Sequence, residues 1–332
     1  MMIVSRTPLR VSFFGGGTDY PEYFERVERG GAVIGMAIDK YVYISALRLA
    51  SILDYRYRVS YSRMEAVSEA SAIQHPVVRS VIDHYRVEEA LDLSIMADLP
   101  ARSGLGSSSS FTVGFLNLVA ALQKRQISKL DLAREAIFVE RGLLKENVGV
   151  QDQYHAAFGG LNRFDFHGTR TRITPVQMTA RCLAALTSSL FLLYTAVTRF
   201  ASVTLDEQIK KTKSKAVDSD LSHLLKLVDQ GCDVLEGSDP DAMLAEFGAM
   251  LHEGWETKKR LSSKISNPEI DALYDKARAA GAIGGKLCGA GAGGFLLMLV
   301  PPQRQAGFRS ALAGTAIIPV GLDTIGSTIL TG

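Results

Sequence analysis

The chain has little to offer redox, metal-cluster or nucleic-acid chemistry. Its three cysteines, Cys182, Cys232 and Cys288, are odd in number, far apart and without the paired spacing of a zinc site. They suit a reduced compartment and argue against a disulfide-stapled secreted domain. Neither charge sign is in excess: 37 Lys and Arg against 35 Asp and Glu leave a net +2. That provides no basic field for nucleic acid and no acidic tail. No apolar run reaches the ~18 residues of a membrane span; the nearest, F-L-L-M-L-V after Gly294, is strand-sized. The opening M-M-I-V-S-R-T-P-L-R lacks the apolar core of a secretion signal. The six histidines do not cluster, and H-E-G-W-E at His252 lacks the second histidine of H-E-x-x-H. The expectation is a cytoplasmic protein whose partner is a small molecule, with no nucleic acid and no membrane; a homodimer is left open.

What is present is ordinary globular material, 332 residues with 47% hydrophobic and 22% charged, long enough for two domains. The first half reads as strands cut by glycine turns: I-V-S-R, R-V-S-F-F, G-A-V-I-G-M-A-I, Y-V-Y-I-S-A-L-R and L-D-L-S-I-M-A-D-L. Apolar spacing predicts helices from Ser107 to about Arg125 and, opening on Ser128 as N-cap, to about Glu146. A polar, broken segment, H-G-T-R-T-R-I-T-P, suggests a boundary and two units, 1–180 and 181–332. The second unit reads as helices near 203–231, 240–260 and 268–280, then strands near 283–288 and 294–300, a short helix and A-I-I-P-V. The class is α+β with antiparallel sheets.

One stretch stands apart. P-A-R-S-G-L-G-S-S-S-S-F, Pro100 to Phe111, places small residues between an apolar strand and an apolar helix. Strand, Gly/Ser turn and helix in that order make an anion site, because the first N–H groups of a helix are free and its dipole is positive there. Gly104 and Gly106 permit close backbone approach, and Ser107, Ser108, Ser109 and Ser110 add hydroxyls for phosphate or metal. A flexible linker has similar composition but seldom separates two such apolar elements. The G-x-x-x-x-G-K-[ST] loop has no match in the chain. Gly289-Ala-Gly291-Ala-Gly293-Gly294 fits G-x-G-x-x-G, but a strand follows rather than a helix, so a dinucleotide fold is rejected.

The stretch from Pro100 through Leu105 to Ser110 resembles the P-x-x-x-G-L-G-S-S-[SA] loop of the GHMP small-molecule kinases, which include galactokinase, homoserine kinase, mevalonate kinase and phosphomevalonate kinase. R-V-S-F-F-G-G-G-T-D-Y is similar to the galactokinase string R-V-N-L-I-G-E-H-T-D-Y, and K-L-C-G-A-G-A-G-G-F resembles the family's third motif. The resemblance implies a two-domain GHMP kinase fold: an N-terminal α/β domain with the phosphate loop and a C-terminal ferredoxin-like domain. It also implies ATP and Mg²⁺, with transfer of the γ-phosphoryl to a small hydroxyl compound.

Site residues follow from the same resemblance. E-R-G-L-L-K-E-N-V-G-V-Q-D-Q-Y matches a galactokinase segment in which a helical Glu precedes G-x-M-D-Q. Glu140, with Ser107 or Ser108, would hold Mg²⁺, a hard cation suited to oxygen donors. Asp152 would be the base on the acceptor hydroxyl, Arg10 its cationic partner beside the transferred phosphoryl, and Asp19 a ligand for sugar hydroxyls. Where galactokinases have G-E-H-T-D, this chain has Gly15-Gly16-Gly17-Thr18-Asp19, which removes a carboxylate and its bulk. The longer string T-P-L-R-V-S-F-F-G-G-G-T-D-Y, with G-G-A-V-I-G-M-A-I-D-K-Y, resembles the bacterial D-glycero-D-manno-heptose 7-phosphate kinases, which phosphorylate the anomeric hydroxyl for surface polysaccharide synthesis. Lys40, Arg102, Arg163 and Arg199 are candidates for the substrate's own phosphate, and Gly289 and Gly291 for a turn approaching substrate. A fucose or galactose kinase is the alternative within the family, and a non-catalytic sugar- or ATP-binding regulator the alternative outside catalysis.

Overall fold

The computed structural model describes residues 2–196, 201–291 and 293–331. The first sheet is built on two long strands, β1 (Met2–Phe14) and β2 (Gly31–Arg48), joined by the glycine turn and a one-turn helix, α1 (Pro21–Phe24). The sequence suggests four strands there. The structure has two, because the break at Pro8 is a bulge inside one continuous pairing: Pro8 faces Tyr41 and Leu9 faces Ile38, leaving Asp39 and Lys40 extra on β2. Such a bulge re-aims the side chains beyond it, and Arg10 lies two residues past Pro8.

Beyond β2 come β3 (Tyr57–Ser60), β4 (Met64–Val67), α2 (Pro76–His84) and β5 (Leu91–Ala97). Next are α3 (Ser107–Leu122), α4 (Lys129–Ile137), α5 (Gln151–Phe158), β6 (Leu161–His167), β7 (Arg170–Pro175) and α6 (Ala180–Ser189). The far edge of β2 is shared, with residues 31–36 pairing to β6 and residues 42–48 to β5. Among the described residues only β3 and β5 pair in parallel; the other strand pairs are antiparallel. Ser128 caps α4 as expected, its hydroxyl accepting from Asp131 N. The expected helix to Glu146 then widens into a π turn over Phe138–Leu143, a device that projects a side chain off the regular spiral. That side chain is Glu140.

The second sheet holds β8 (Leu190–Tyr194), β9 (Gly284–Leu287), β10 (Phe295–Leu299) and β11 (Ile317–Pro319) in the order β11-β8-β10-β9, all antiparallel. With α7 (Ala201–Lys213), α8 (Asp218–Leu235), α9 (Pro240–Leu261) and α10 (Pro268–Ala279) before β9, and α11 (Gln305–Ala311) before β11, this is the ferredoxin-like pattern. The single helix expected over 203–231 is interrupted. Lys215 turns left-handed at φ 62°, Lys215 N reaches Thr212 O and Ala216 N reaches Lys211 O, which terminates α7 in a Schellman motif. The last strand, β12 (Thr328–Thr331), leaves the second sheet and pairs with β1 of the first.

The sheet of the first domain buries its inner face under α3 and α5. His155 of α5 lies wholly inside this core, its ring centroid 4.7 Å from that of Phe164. Its Nδ1–H donates to Gln151 O at 2.9 Å, and Gly35 of β2 gives it room, since a Cβ there would come within 2.4 Å of Nε2. Burial lowers its pKa to about 4, so the folded ring stays neutral while an unfolded one protonates near the ordinary value. Stability due to the neutral ring is complete above pH 6.5 and is lost as pH falls toward 4. Wild type should lose about 1–2 kcal/mol more than His155→Gln between pH 7 and pH 5, read from urea midpoints. Parallel pH profiles would contradict it.

Candidate active site

The bulge on β1 delivers Arg10 to the space below the Gly/Ser loop. Its Nε and Nη2 each donate to a different oxygen of Asp152, both at 2.7 Å, and Nη1 donates to Gly104 O at 2.5 Å. Arg10 N also donates to Leu105 O at 3.1 Å, so one residue holds both the loop and the first turn of α5. Bidentate guanidinium–carboxylate geometry fixes both planes. Within the pair the arginine side chain is 7% exposed and the aspartate 22%, so the carboxylate is the member a ligand can reach.

Asp19, in the turn after β1, is buried beside this pair. Gly17 N donates to its Oδ1 at 2.9 Å, and its own carbonyl accepts from Val150 N, which ties the turn to the start of α5. Gly149 lies against it so closely that a Cβ would come 2.0 Å from Oδ2. Burial raises the Asp19 pKa, against the lowering effect of the Gly17 bond, and Asp152 raises it further. Tyr20 sits in the same field; burial and the charges of Asp19 and Asp152 push its hydroxyl well above the ordinary phenol value.

The loop itself behaves as a backbone cradle. Gly106, left-handed at φ 76°, is the N-cap of α3, and Ser110 N is the first to bond back, to Gly106 O. The N–H groups of Ser107, Ser108 and Ser109 are therefore those without an intrahelical acceptor. A Cβ on Gly106 would sit 3.2 Å from Arg10 Cγ and 3.3 Å from Asp152 Oδ2, so the cradle and the ion pair touch. Pro100 and Ser108 are exposed, Ser107 half-buried, and Leu105 fully buried as the loop's anchor. Ser107 Oγ accepts from Arg102 N at 3.3 Å, closing the loop on itself, and Ser110 Oγ donates to Pro8 O at 2.8 Å.

Glu140 reaches in from the π turn and is 1% exposed. Its Oε2 accepts from Ser109 Oγ at 2.9 Å and from Gln153 Nε2, whereas Oε1 is buried with no partner among the described residues. Burial pushes its pKa up to about 7. The structure thus joins Glu140 directly to Ser109; Ser107 and Ser108 stand at the open end of the helix. A carboxylate oxygen without a partner near serine hydroxyls is a hard-oxygen donor set that fits a magnesium ion completed by phosphate and water.

The remaining expected residues separate. Thr18 is structural, its hydroxyl lying 2.8 Å from both Gly15 O and Ala32 O, which share its one proton. A Cβ at Gly15 would meet Ala32 O at 1.9 Å, and one at Gly17 would meet Gln208 and Leu221 at 2.9 Å. At Gly16 only Ser12 Oγ lies nearby, at 4.0 Å, so this position alone of the three opens onto space. Lys40 is paired with Asp39, and Arg163 with Asp165 and Asp229. Arg199 lies outside the described residues. Gly289 and Gly291 face protein: a Cβ would come 2.5 Å from Gly104 Cα at the former and 2.7 Å from Ile265 Cα at the latter.

Sequence reasoning missed Gln153, Gly149, Tyr20 and two buried lysines. The first three lie inside quoted motifs (G-V-Q-D-Q and T-D-Y) and could have been found there. Lys286 of β9 opens the quoted K-L-C-G-A-G-A-G-G-F and could have been found there too, whereas Lys258 of α9 carries no such signal. Each is 7% exposed, and burial lowers their pKa values to about 8 and about 7.

A helix-mounted backbone cradle, an arginine–aspartate pair beneath it and a ferredoxin-like second domain are the arrangement of a small-molecule kinase. The chain belongs to the GHMP kinases: the family's N terminal domain matches residues 71–160 and its C terminal domain residues 241–316. It is 28% identical over 323 residues to the D-glycero-alpha-D-manno-heptose 7-phosphate kinase of Campylobacter jejuni, covering 93% of each chain. It is 27% identical over 337 residues to the galactokinase of Pyrococcus furiosus, covering 93% of this chain and 92% of that one. The crystal structure of a D-glycero-D-manno-heptose 1-phosphate kinase from Bacteroides thetaiotaomicron superposes with a TM-score of 0.73 at 27% identity, over 99% of each chain.

The cradle's position rests on backbone pressed against backbone. A Cβ on Gly104, at φ 81°, would approach Cys288 O within 2.4 Å, whereas at Gly168, at φ 53°, nothing lies within 4 Å. Gly104→Ala should therefore cost about 2–4 kcal/mol in urea unfolding and Gly168→Ala only the left-handed penalty of about 1 kcal/mol. Equal losses would show that close approach does not set the loop.

Proposed function

We propose that the protein is an ATP- and Mg²⁺-dependent kinase that phosphorylates the anomeric hydroxyl of D-glycero-D-manno-heptose 7-phosphate, giving the 1,7-bisphosphate. The observation that carries this reading is the Arg10–Asp152 pair seated against Gly106 with Asp19 beside it. The N–H groups at the start of α3 bind the nucleotide's phosphates, and Gly104 and Gly106 bring the backbone close enough to do so. Asp152 keeps a second lone pair on each oxygen after binding Arg10, so it can orient the acceptor hydroxyl and take its proton. Arg10 stays cationic at any physiological pH and faces the charge that develops on the transferring group. Asp19 accepts from neighbouring sugar hydroxyls. Glu140, with Ser107 or Ser108, would hold the magnesium ion, whose charge when bound offsets that of the phosphates.

Support for a heptose comes from the names of the Campylobacter and Bacteroides relatives, which share that sugar and differ in the phosphate position they cite. The galactokinase of Pyrococcus furiosus is similar at nearly the same identity, which supports a hexose as second reading. Gly16 favours the heptose phosphate, because open space stands where galactokinases carry a glutamate. The class of surface polysaccharide served, and the cytoplasm as its place of action, belong to this same reading.

Two measurements test it. Asp152→Asn should reduce kcat by at least about 10³-fold while a non-hydrolysable ATP analogue still binds within about threefold of wild type; near-normal turnover would remove Asp152 as base. An ADP-release comparison should give heptose 7-phosphate a kcat/KM at least roughly 10²-fold above galactose, fucose and free heptose. A higher value for galactose or fucose would replace the heptose with a hexose.

A further inference from the structure

Lys258 and Lys286 pose an electrostatic problem that the assigned chemistry does not solve. Both ammonium groups are buried, yet among the described residues neither meets a carboxylate. Lys286 Nζ donates to Phe13 O at 2.9 Å, and Lys258 Nζ to Leu287 O at 3.2 Å and Gly289 O at 2.5 Å. Backbone carbonyls satisfy donors but do not neutralise charge, and an ammonium has three N–H directions, so Lys286 keeps two unused and Lys258 one. Arg10, the next cation, is engaged by Asp152. Two buried ammonium groups with no carboxylate in contact, and Asp19 acting on them only from farther off, are costly unless an anion completes the site.

The place where that anion fits can be read from β1. Phe13, whose carbonyl Lys286 holds, adjoins Ser12, and Ser12 Oγ is buried without a partner. Ser12 Oγ is also the one heavy atom near the missing Cβ of Gly16. An unpartnered hydroxyl beside open space thus stands one residue from the carbonyl that Lys286 holds, and Lys286 and Lys258 both lie within the fields of Asp19 and Arg10. A glutamate at 16, as galactokinases have, would fill that space and supply the countercharge itself. Glycine leaves it to a ligand.

We propose that Lys286, with Lys258 behind it, binds the acceptor's own phosphate, which lies over Gly16 and takes a further hydrogen bond from Ser12. The inference rests on the phosphorylated-sugar reading above and names the residues that make it specific. It also displaces Lys40 and Arg163, whose charges are already matched by carboxylates. Burial lowers the pKa values of both lysines, and the charge of Lys258 lowers that of Lys286 further; a dianion between them and solvent would reverse the shift.

The test compares heptose 7-phosphate with free heptose in the full chain. Lys286→Met should lower the ratio of their kcat/KM values by roughly 30- to 100-fold, with the loss carried by KM rather than kcat. Gly16→Val, at a position without a left-handed backbone, should lower the same ratio by occupying the space, and it covers the case in which Lys286→Met folds poorly. A fall in kcat/KM that is equal for both acceptors in both variants would make Lys286 a purely structural staple and overturn the proposal. If wild type itself shows no preference for the phosphorylated sugar, the functional reading fails and this inference with it. A wild-type preference that survives both substitutions sinks the inference alone.

Discussion

Everything at the centre of this molecule is referred to Arg10. Its guanidinium bonds Asp152 at the start of α5 and Gly104 O in the loop, and its main-chain N–H bonds Leu105 O. Two segments far apart in sequence, the loop and the start of α5, are thereby tied to β1 through one residue. The arginine can do this because β1 is kinked at Pro8 and buried on both sides, which leaves it little rotational freedom. A flexible lysine would supply the charge without the planar fork.

The two domains meet through the same place. Gly104 packs on Cys288 and Gly289, and Gly294 on Ser103, with no side chain between the two backbones. Lys286 crosses the same boundary to Phe13 O. A contact of this kind transmits small displacements directly, since there is no side chain to absorb them by changing rotamer. The glycine-rich turn that looks from sequence like a substrate contact is, on its described faces, a joint between domains.

Most of this architecture was legible because the motifs carry geometry. Strand, Gly/Ser turn and helix are found as read, and the ferredoxin-like order of the second sheet agrees with the helices and strands marked out over 240–319. Boundaries failed where tertiary structure overrides local pattern. Pro8 looked like a strand end and is a bulge; Lys215, a good helix former, terminates a helix by turning left-handed. Within the site, Arg10, Asp19 and Asp152, which the family resemblance pointed to, lie together, and Glu140 adjoins them through Ser109 and Gln153. Lys258 was invisible, since an isolated lysine in a helix looks the same whether it faces water or the interior, and Lys286, although it opens the third motif, gave no sign that it is buried. Only burial without a carboxylate distinguishes them.

β12 has a bearing on how the chain matures. Residues 328–331 complete the first sheet by pairing with residues 4–6, across nearly the whole sequence. As the polypeptide leaves the ribosome, the strand that will hold Arg10 must wait with one edge unprotected until the ferredoxin-like unit has been made. Synthesis order and assembly order therefore conflict in this protein, and a stalled or shortened product would expose a bare sheet margin rather than a finished domain.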